Sequence, residues 1–118
     1  MGLGIPLLAC FFAAMGVVAL IAPNQVTARF GMPAITPDSR SEVKAVYGGY
    51  GIAMGILLGL APSLPQFRDG ILLTVAVALI GMAVGRVVAA LGERPGRCPI
   101  VFFVVECVLA GIACSALG

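Results

Sequence analysis

The sequence predicts an all-α integral membrane bundle of four transmembrane helices. Of its 118 residues, 61% are apolar and only 10% are charged, whereas soluble proteins average about 25% charged residues. The apolar residues form four stretches, each close to the roughly 20 residues that a helix needs to cross the hydrocarbon of a bilayer. Helices are expected because backbone groups cannot remain unpaired in lipid. At this length we expect one domain, residues 1–118.

The first apolar stretch predicts a helix over about residues 3–22, ending before Pro23. Within it, Leu7-Leu8-Ala9-Cys10 resembles a lipoprotein cleavage box. Few residues precede this box and none is basic, so we expect a retained helix and not a secretory signal.

The longest predicted linker, residues 23–41, contains four residues that break helices: Pro23, Gly31, Pro33 and Pro37. In this linker we expect three apolar side chains to lie in the membrane interface beside Arg29: Val26, Phe30 and Met32. The second helix is predicted over about residues 38–61, with an apolar stretch from Val43 to Ala61. Ser39-Arg40-Ser41-Glu42 fits a capping box at its start.

The third and fourth helices are predicted over about residues 70–91 and 98–117. Residues 62–69 form a short proline-containing turn before the third helix. Residues 92–97, Gly-Glu-Arg-Pro-Gly-Arg, form a tight polar turn. A turn this short predicts that the last two helices form an antiparallel hairpin.

The basic residues near the predicted helix ends indicate the orientation of the chain. The side that carries the first and third linkers holds Arg29, Arg40, Lys44, Arg94 and Arg97, and the opposite side holds only Arg68. Since basic loops stay in the cytoplasm, the sequence predicts a multi-pass protein of the bacterial inner (cytoplasmic) membrane with both termini outside.

Arg86 and Glu106 are the most informative positions, because each lies inside an apolar helix. Charged residues at such depth face protein or water and find partners. In the predicted hairpin their depths differ by roughly 6 Å at 1.5 Å per residue, which a long arginine side chain can span. We therefore predict an ion pair between them. It either locks the two helices or forms a polar site for a ligand or proton transfer. The third alternative is that Arg86 extends alone to the membrane interface.

The start of the second helix is the second candidate site. Glu42, Lys44 and Tyr47 lie on the same predicted side of the membrane as Arg86 and Glu106. One interpretation is a capped helix start with an aromatic belt. The other places these three residues at the mouth of a cavity that Arg86 and Glu106 line.

Glycines recur every four residues on two helices, at Gly51, Gly55 and Gly59 and at Gly81 and Gly85. Such stripes let helix backbones approach closely in lipid. We expect contacts within the chain, and the first stripe also offers a face for a homo-oligomer.

Several kinds of chemistry find no support in the sequence. Histidine is absent, which excludes imidazole catalysis and histidine-ligated metal or haem. The acidic residues form no metal cluster, and no cofactor motif occurs. The net charge of +2 without a basic run argues against nucleic acid. Three of the four cysteines lie inside apolar stretches, where buried thiols are expected instead of a disulfide.

At Glu42-Val43-Lys44-Ala45-Val46-Tyr47-Gly48-Gly49 the sequence resembles a bacterial family of small membrane proteins, domain of unknown function 4345. The resemblance extends to four further places: Ala19-Leu20, Pro23, Gly85-Arg86 and Glu106. It implies a four-helix inner-membrane fold and no established activity. The family more often has arginine where this chain has Lys44, and lysine lacks the bidentate fork of arginine.

These observations favour a binding protein that holds a lipid-like or small amphipathic ligand in a polar pocket. Its partners would be membrane lipid and that ligand. Arg86, Glu106 and Tyr47 would recognise the polar part, with Glu42 and Lys44 nearby. Two alternatives remain, namely an intramembrane enzyme of isomerase type and an oligomeric transporter or channel subunit.

Overall fold

A computed structural model describes residues 3–29 and 36–118 of the chain. This part of the chain contains no β-strand. Four helical segments in it are long and apolar enough to cross a membrane: Gly4–Ile21, Pro37–Ser63, Pro65–Gly92 and Arg97–Ser115. The predicted all-α fold with four helices of transmembrane length is therefore confirmed. Only 22% to 33% of each span is buried, so most of its apolar side chains face outward, as lipid allows.

The chain divides into two compact units, one formed by Pro6–Leu60 and the other by Met1–Ile5 together with Ala61–Gly118. The single domain expected from the length of the chain stays a prediction.

The Pro6–Leu60 unit holds most of helix α1 (Gly4–Ile21) and the short helix α2 (Pro23–Arg29). Residues 23–29 lie between the first two spans, as the linker interpretation has it, but they form a short helix that begins at Pro23. Proline is tolerated in the first turn of a helix, where its missing N–H has no partner to lose. The buried Thr27 hydroxyl donates to the carbonyl of Pro23 at 3.2 Å within α2. Residues 30–35 of the predicted linker lie outside the described residues, and they include Phe30, Gly31, Met32 and Pro33.

The second span consists of helix α3 (Pro37–Val43), a π-helical turn (Lys44–Gly49), helix α4 (Tyr50–Leu60) and a 3₁₀ turn (Ala61–Ser63). Its cap differs from the prediction. Thr36 is the N-cap and accepts a hydrogen bond from the backbone N–H of Ser39, whose hydroxyl accepts one from the N–H of Thr36. Ser39 thus occupies the N3 position of the capping box and not the N-cap position. The helix begins earlier than predicted because Pro37 is preorganised for its first turn.

The π-helical turn aligns the buried faces of α3 and α4. Val43 at the end of α3 and Gly48 in the turn are both buried. They are five residues apart, and a π-helix closes its hydrogen bonds between residues i and i+5. An uninterrupted α-helix would turn them to different faces, because it stacks residues three and four apart.

Helix α1 packs closely against the π-helical turn and α4 through glycines. A Cβ atom added to Gly51 would lie 2.8 Å from the carbonyl oxygen of Phe12, and one added to Gly16 would lie 2.6 Å from that of Gly48. Such distances leave no space for a side chain, so the predicted contact within the chain is confirmed at Gly51. At Gly55 it is confirmed as well, since an added Cβ would lie 2.9 Å from that of Ala13.

Three other glycines of the predicted stripes make no such contact. Among the described residues nothing lies within 4 Å of a Cβ added to Gly59, Gly81 or Gly85. The expected contact within the chain is therefore wrong for these three, and a contact between copies stays a prediction. Four-residue spacing places small residues on one face, but it does not determine whether another helix covers that face.

The second unit contains a 3₁₀ turn (Ala61–Ser63), helix α5 (Pro65–Gly92) and helix α6 (Arg97–Ser115). Helix α5 starts five residues before the predicted Gly70. Here Pro65 begins the helix instead of breaking it, because the first turn needs no N–H from this position. Glu93–Gly96 separate α5 from α6, so the predicted tight polar turn is present.

Helices α5 and α6 pack against each other as a hairpin. The buried residues of α5 recur at helical spacing: Leu72, Val75, Ala76, Leu79 and Ala83. Those of α6 are Glu106, Leu109, Ala110 and Ala113. At the open end of the hairpin the Asp69 carboxylate accepts from Arg68 at 2.9 Å and from the backbone N–H of Gly118 at 3.3 Å.

All four cysteines are free, and three of them are exposed: Cys10, Cys107 and Cys114. The sequence-based expectation of buried thiols is wrong at these positions. In a helix surrounded by lipid an apolar side chain need not be buried in protein, so its polarity does not indicate which face it occupies.

Candidate functional site

The most distinctive polar feature of the described chain is the ion pair between Arg86 on α5 and Glu106 on α6. Nε of Arg86 donates to Oε1 of Glu106 at 2.8 Å, and Nη2 donates to Oε2 at 3.0 Å. This is the bidentate geometry that makes arginine–carboxylate pairs strong and directional. The ion pair predicted from the sequence is present.

The two partners differ in exposure. The Glu106 side chain is 6% exposed and that of Arg86 is 28% exposed. Glu106 is also the tenth of the 19 residues of α6, so it lies near the middle of the span. A carboxylate at that depth needs a permanent partner, and both of its oxygens accept hydrogen bonds from Arg86.

Phe102 joins this pair through its aromatic ring. The guanidinium carbon of Arg86 lies 5.8 Å from the centre of the Phe102 ring, within the range of a cation–π contact. Phe102 precedes Glu106 by four residues, which places both on one face of α6. The sequence interpretation missed Phe102, although the four-residue spacing from a buried acid was the signal that could have found it.

An open apolar groove of about 420 Å³ runs between α5 and α6. Its residues on α5 are Ile80, Ala83, Val84, Val87 and Val88, and those on α6 are Phe103, Cys107 and Ala110. Ala83 and Ala110 are buried and form its floor, because two small side chains leave space between the helices. Its volume lies within the roughly 300–1,000 Å³ of small-molecule sites.

The groove and the ion pair occupy neighbouring positions on the same two helices. Ala83 precedes Arg86 by three residues, and Phe103 and Ala110 lie three before and four after Glu106. Residues three and four apart share a helix face. The hairpin therefore carries a charged clamp and an apolar groove side by side. The sequence did not reveal this groove, because every residue that lines it is apolar.

The other predicted site residues are in the Pro6–Leu60 unit. Glu42 lies on α3, and Lys44 and Tyr47 lie in the π-helical turn. All three are exposed. Glu42 and Tyr47 are five residues apart, a spacing that a π-helical turn brings to one face. The structure brings Arg86 and Glu106 together, whereas a site shared with Glu42, Lys44 and Tyr47 stays a prediction.

A comparison with protein families matches residues 3–117 to a family described as Domain of unknown function (DUF4345). The chain belongs to this family. The predicted resemblance is therefore confirmed over all four helices. No curated protein and no solved structure matches the chain. The DUF4345 description names no activity.

In the described part of this DUF4345 chain the buried polar side chains are paired. Every buried side-chain nitrogen and oxygen among the described residues has a hydrogen-bond partner. Within the same residues no group of three or more His, Cys, Asp or Glu side chains is placed to hold a metal ion. The carboxylate of Glu106 would have to leave Arg86 before it could accept a substrate proton.

Proposed function

We propose that this chain binds a lipid-like amphipathic molecule in the membrane, with one hydrocarbon chain of that molecule in the α5–α6 groove. The observation that carries the proposal is an open apolar groove formed by the same two helices that the bidentate Arg86–Glu106 ion pair joins. Apolar walls with a few polar groups at the side are typical of ligand sites. A groove lined wholly by apolar side chains suits hydrocarbon and no polar group.

The Arg86–Glu106 pair supports this proposal by fixing the two walls of the groove relative to each other. Its two hydrogen bonds have a defined direction, whereas apolar contacts between helices in lipid do not. A rigid groove loses little entropy when a ligand binds, and this favours affinity. Recognition of the polar part of the ligand by Arg86, Glu106 and Tyr47, with Glu42 and Lys44, stays a prediction from the sequence.

We also propose that the protein resides in the inner (cytoplasmic) membrane with both termini outside. The support is the excess of basic residues at the ends of α2 and α3 and around the α5–α6 turn. The opposite side has Arg68, which pairs with Asp69.

The proposal is tested by native mass spectrometry of protein extracted from its membrane in mild detergent. The informative variant is Cys107→Phe, which puts a large ring into the groove. Cys114→Phe is the matched control, because Cys114 lies seven residues further along α6, is also exposed and does not line the groove. We expect a lipid-mass adduct on the wild type and on Cys114→Phe, and at least a tenfold loss on Cys107→Phe.

Equal adducts on Cys107→Phe and Cys114→Phe would refute binding in the groove. Arg86→Ala and Glu106→Gln extend the test, since loss of the clamp should also reduce the adduct in protein that remains folded. The two alternatives predict other outcomes. An intramembrane enzyme of isomerase type would convert an added lipid or isoprenoid, and a transporter or channel subunit would form stable oligomers in lipid discs.

A further inference from the structure

The turn between α5 and α6 carries a concentration of positive charge. We call Glu93–Arg97 the basic turn, since it contains Arg94 and Arg97 against the single acid Glu93. Both arginines are exposed. The N-terminus of α6 has Gly96 as its cap, without a capping side chain. The partial positive charge of this N-terminus is offset by the partial negative charge of the α5 C-terminus at the same turn, so the excess positive charge comes from the arginine side chains.

The opposite end of the hairpin is different. There Arg68 and Asp69 form an ion pair at 2.9 Å, so one positive charge is balanced by one negative charge. Only the basic turn offers an excess of positive charge on this hairpin. An anionic group near the hairpin is therefore drawn to one end.

The groove begins close below the basic turn. Val88 lines the groove and lies four residues before Gly92, the last residue of α5, which is about 6 Å at 1.5 Å per residue. Phe103 lies six residues after Arg97, or about 9 Å along α6. Each head-group region of a bilayer is roughly 5–8 Å deep, the difference between its total and hydrocarbon thickness. A lipid with its head group at the basic turn would thus begin its hydrocarbon chain at the mouth of the groove.

We propose that the groove binds an anionic phospholipid, whose negatively charged head group lies against Arg94 and Arg97. This inference rests on the proposed binding function and adds the chemical class of the ligand and the residues that select it. Arg94 and Arg97 recognise the phosphate and the net charge, and the groove holds one acyl chain. The Arg86–Glu106 pair lies deeper, at the level of the chain.

The experiment adds dioleoyl phosphatidylglycerol or dioleoyl phosphatidylcholine, which have identical chains, to delipidated full-length protein. Binding is measured by native mass spectrometry. A basic residue near an anionic head group contributes roughly fivefold to affinity. We expect wild type to prefer phosphatidylglycerol by about fivefold or more. The double variant Arg94→Gln/Arg97→Gln should lose that preference and should still bind phosphatidylcholine. Arg68→Gln, the same change at the opposite end, should keep it.

The remaining outcomes overturn the inference in distinguishable ways. Equal binding of the two lipids to wild type refutes selection by charge while leaving binding in the groove intact. Loss of preference in Arg68→Gln as well would assign the effect to net charge and not to the basic turn. Displacement of phosphatidylglycerol by millimolar inorganic phosphate would indicate a site for a free anion. If neither lipid binds to wild type more strongly than to Cys107→Phe, the proposed function itself is refuted.

Discussion

The guanidinium of Arg86 and the carboxylate of Glu106 meet in two hydrogen bonds of 2.8 and 3.0 Å, between residues 20 positions apart in the chain. The two ends of this pair are not equivalent, since Glu106 is almost fully enclosed and Arg86 is partly exposed. Removal of Arg86 and removal of Glu106 should therefore lower the stability of the protein by different amounts.

Removal of Arg86 should destabilise the protein more than removal of Glu106. Arg86→Met leaves an enclosed carboxylate without its partner, and breaking a buried pair in this way costs about 3–5 kcal/mol. Glu106→Leu leaves Arg86, whose long side chain can turn toward the membrane surface, so the loss should be about 1–2 kcal/mol smaller. Thermal melting in mild detergent measures both.

The double variant Arg86→Met/Glu106→Leu controls for packing. It removes both charges and keeps apolar volume, so its stability should exceed that of Arg86→Met. If the double variant is less stable than both single variants, the view that each charge of the pair stabilises the other is contradicted.

Alanine substitutions at two glycines of α4 should have opposite effects. Gly51→Ala puts a methyl group 2.8 Å from the carbonyl oxygen of Phe12, and such overpacking costs about 1–3 kcal/mol. Gly59→Ala meets nothing within 4 Å and replaces a poor helix former, so it should be neutral or stabilising by up to about 1 kcal/mol. Melting curves of the two variants measure these changes in stability. Equal losses would contradict the close approach of α1 to Gly51.

Deletion of one residue should be tolerated in the π-helical turn and not in α4. Without Ala45 the turn can close as an α-helix, and Val43 and Gly48 then lie four residues apart, which keeps them on one face. Deletion of Ala53 changes the spacing of Gly51 and Gly55, both of which contact α1. We expect less than about 1 kcal/mol of destabilisation from the first deletion and roughly 1–3 kcal/mol from the second. Melting temperatures in detergent measure both losses of stability. Similar losses would argue against the view that the turn aligns the buried faces of α3 and α4.

The proposed orientation predicts which end of α5 faces the cytoplasm. With the four native cysteines replaced by alanine, Arg94→Cys and Ser63→Cys place single thiols at opposite ends of this helix. A membrane-impermeant maleimide should label Arg94→Cys only in inside-out vesicles and Ser63→Cys only in right-side-out vesicles. The reverse pattern would invert the topology, and labelling of both thiols from both sides would indicate dual orientation.

Much of the fold could be predicted because it depends on local composition. The span formed by α6 was placed within two residues of its observed ends, Arg97 and Ser115. Proline was the main source of error. Pro23 and Pro65 each begin a helix in the structure, whereas the sequence interpretation took Pro23 as a break and placed residue 65 inside a turn. A proline is compatible with both, because the first turn of a helix does not use its missing N–H.

The sequence by itself determined the number of long apolar helices, the tight turn after Gly92 and the need of two intramembrane charges for partners. These properties follow from hydrophobicity and desolvation, which depend on residue type. Only the tertiary structure decided that Gly51 packs against α1, whereas no other helix among the described residues comes within 4 Å of a Cβ added to Gly81. It also decided that Ala83 and Ala110 leave a groove between α5 and α6. In lipid an apolar side chain is equally stable against protein or acyl chains, so composition does not encode which face is covered. That choice is made by packing and by the direction of a few hydrogen bonds.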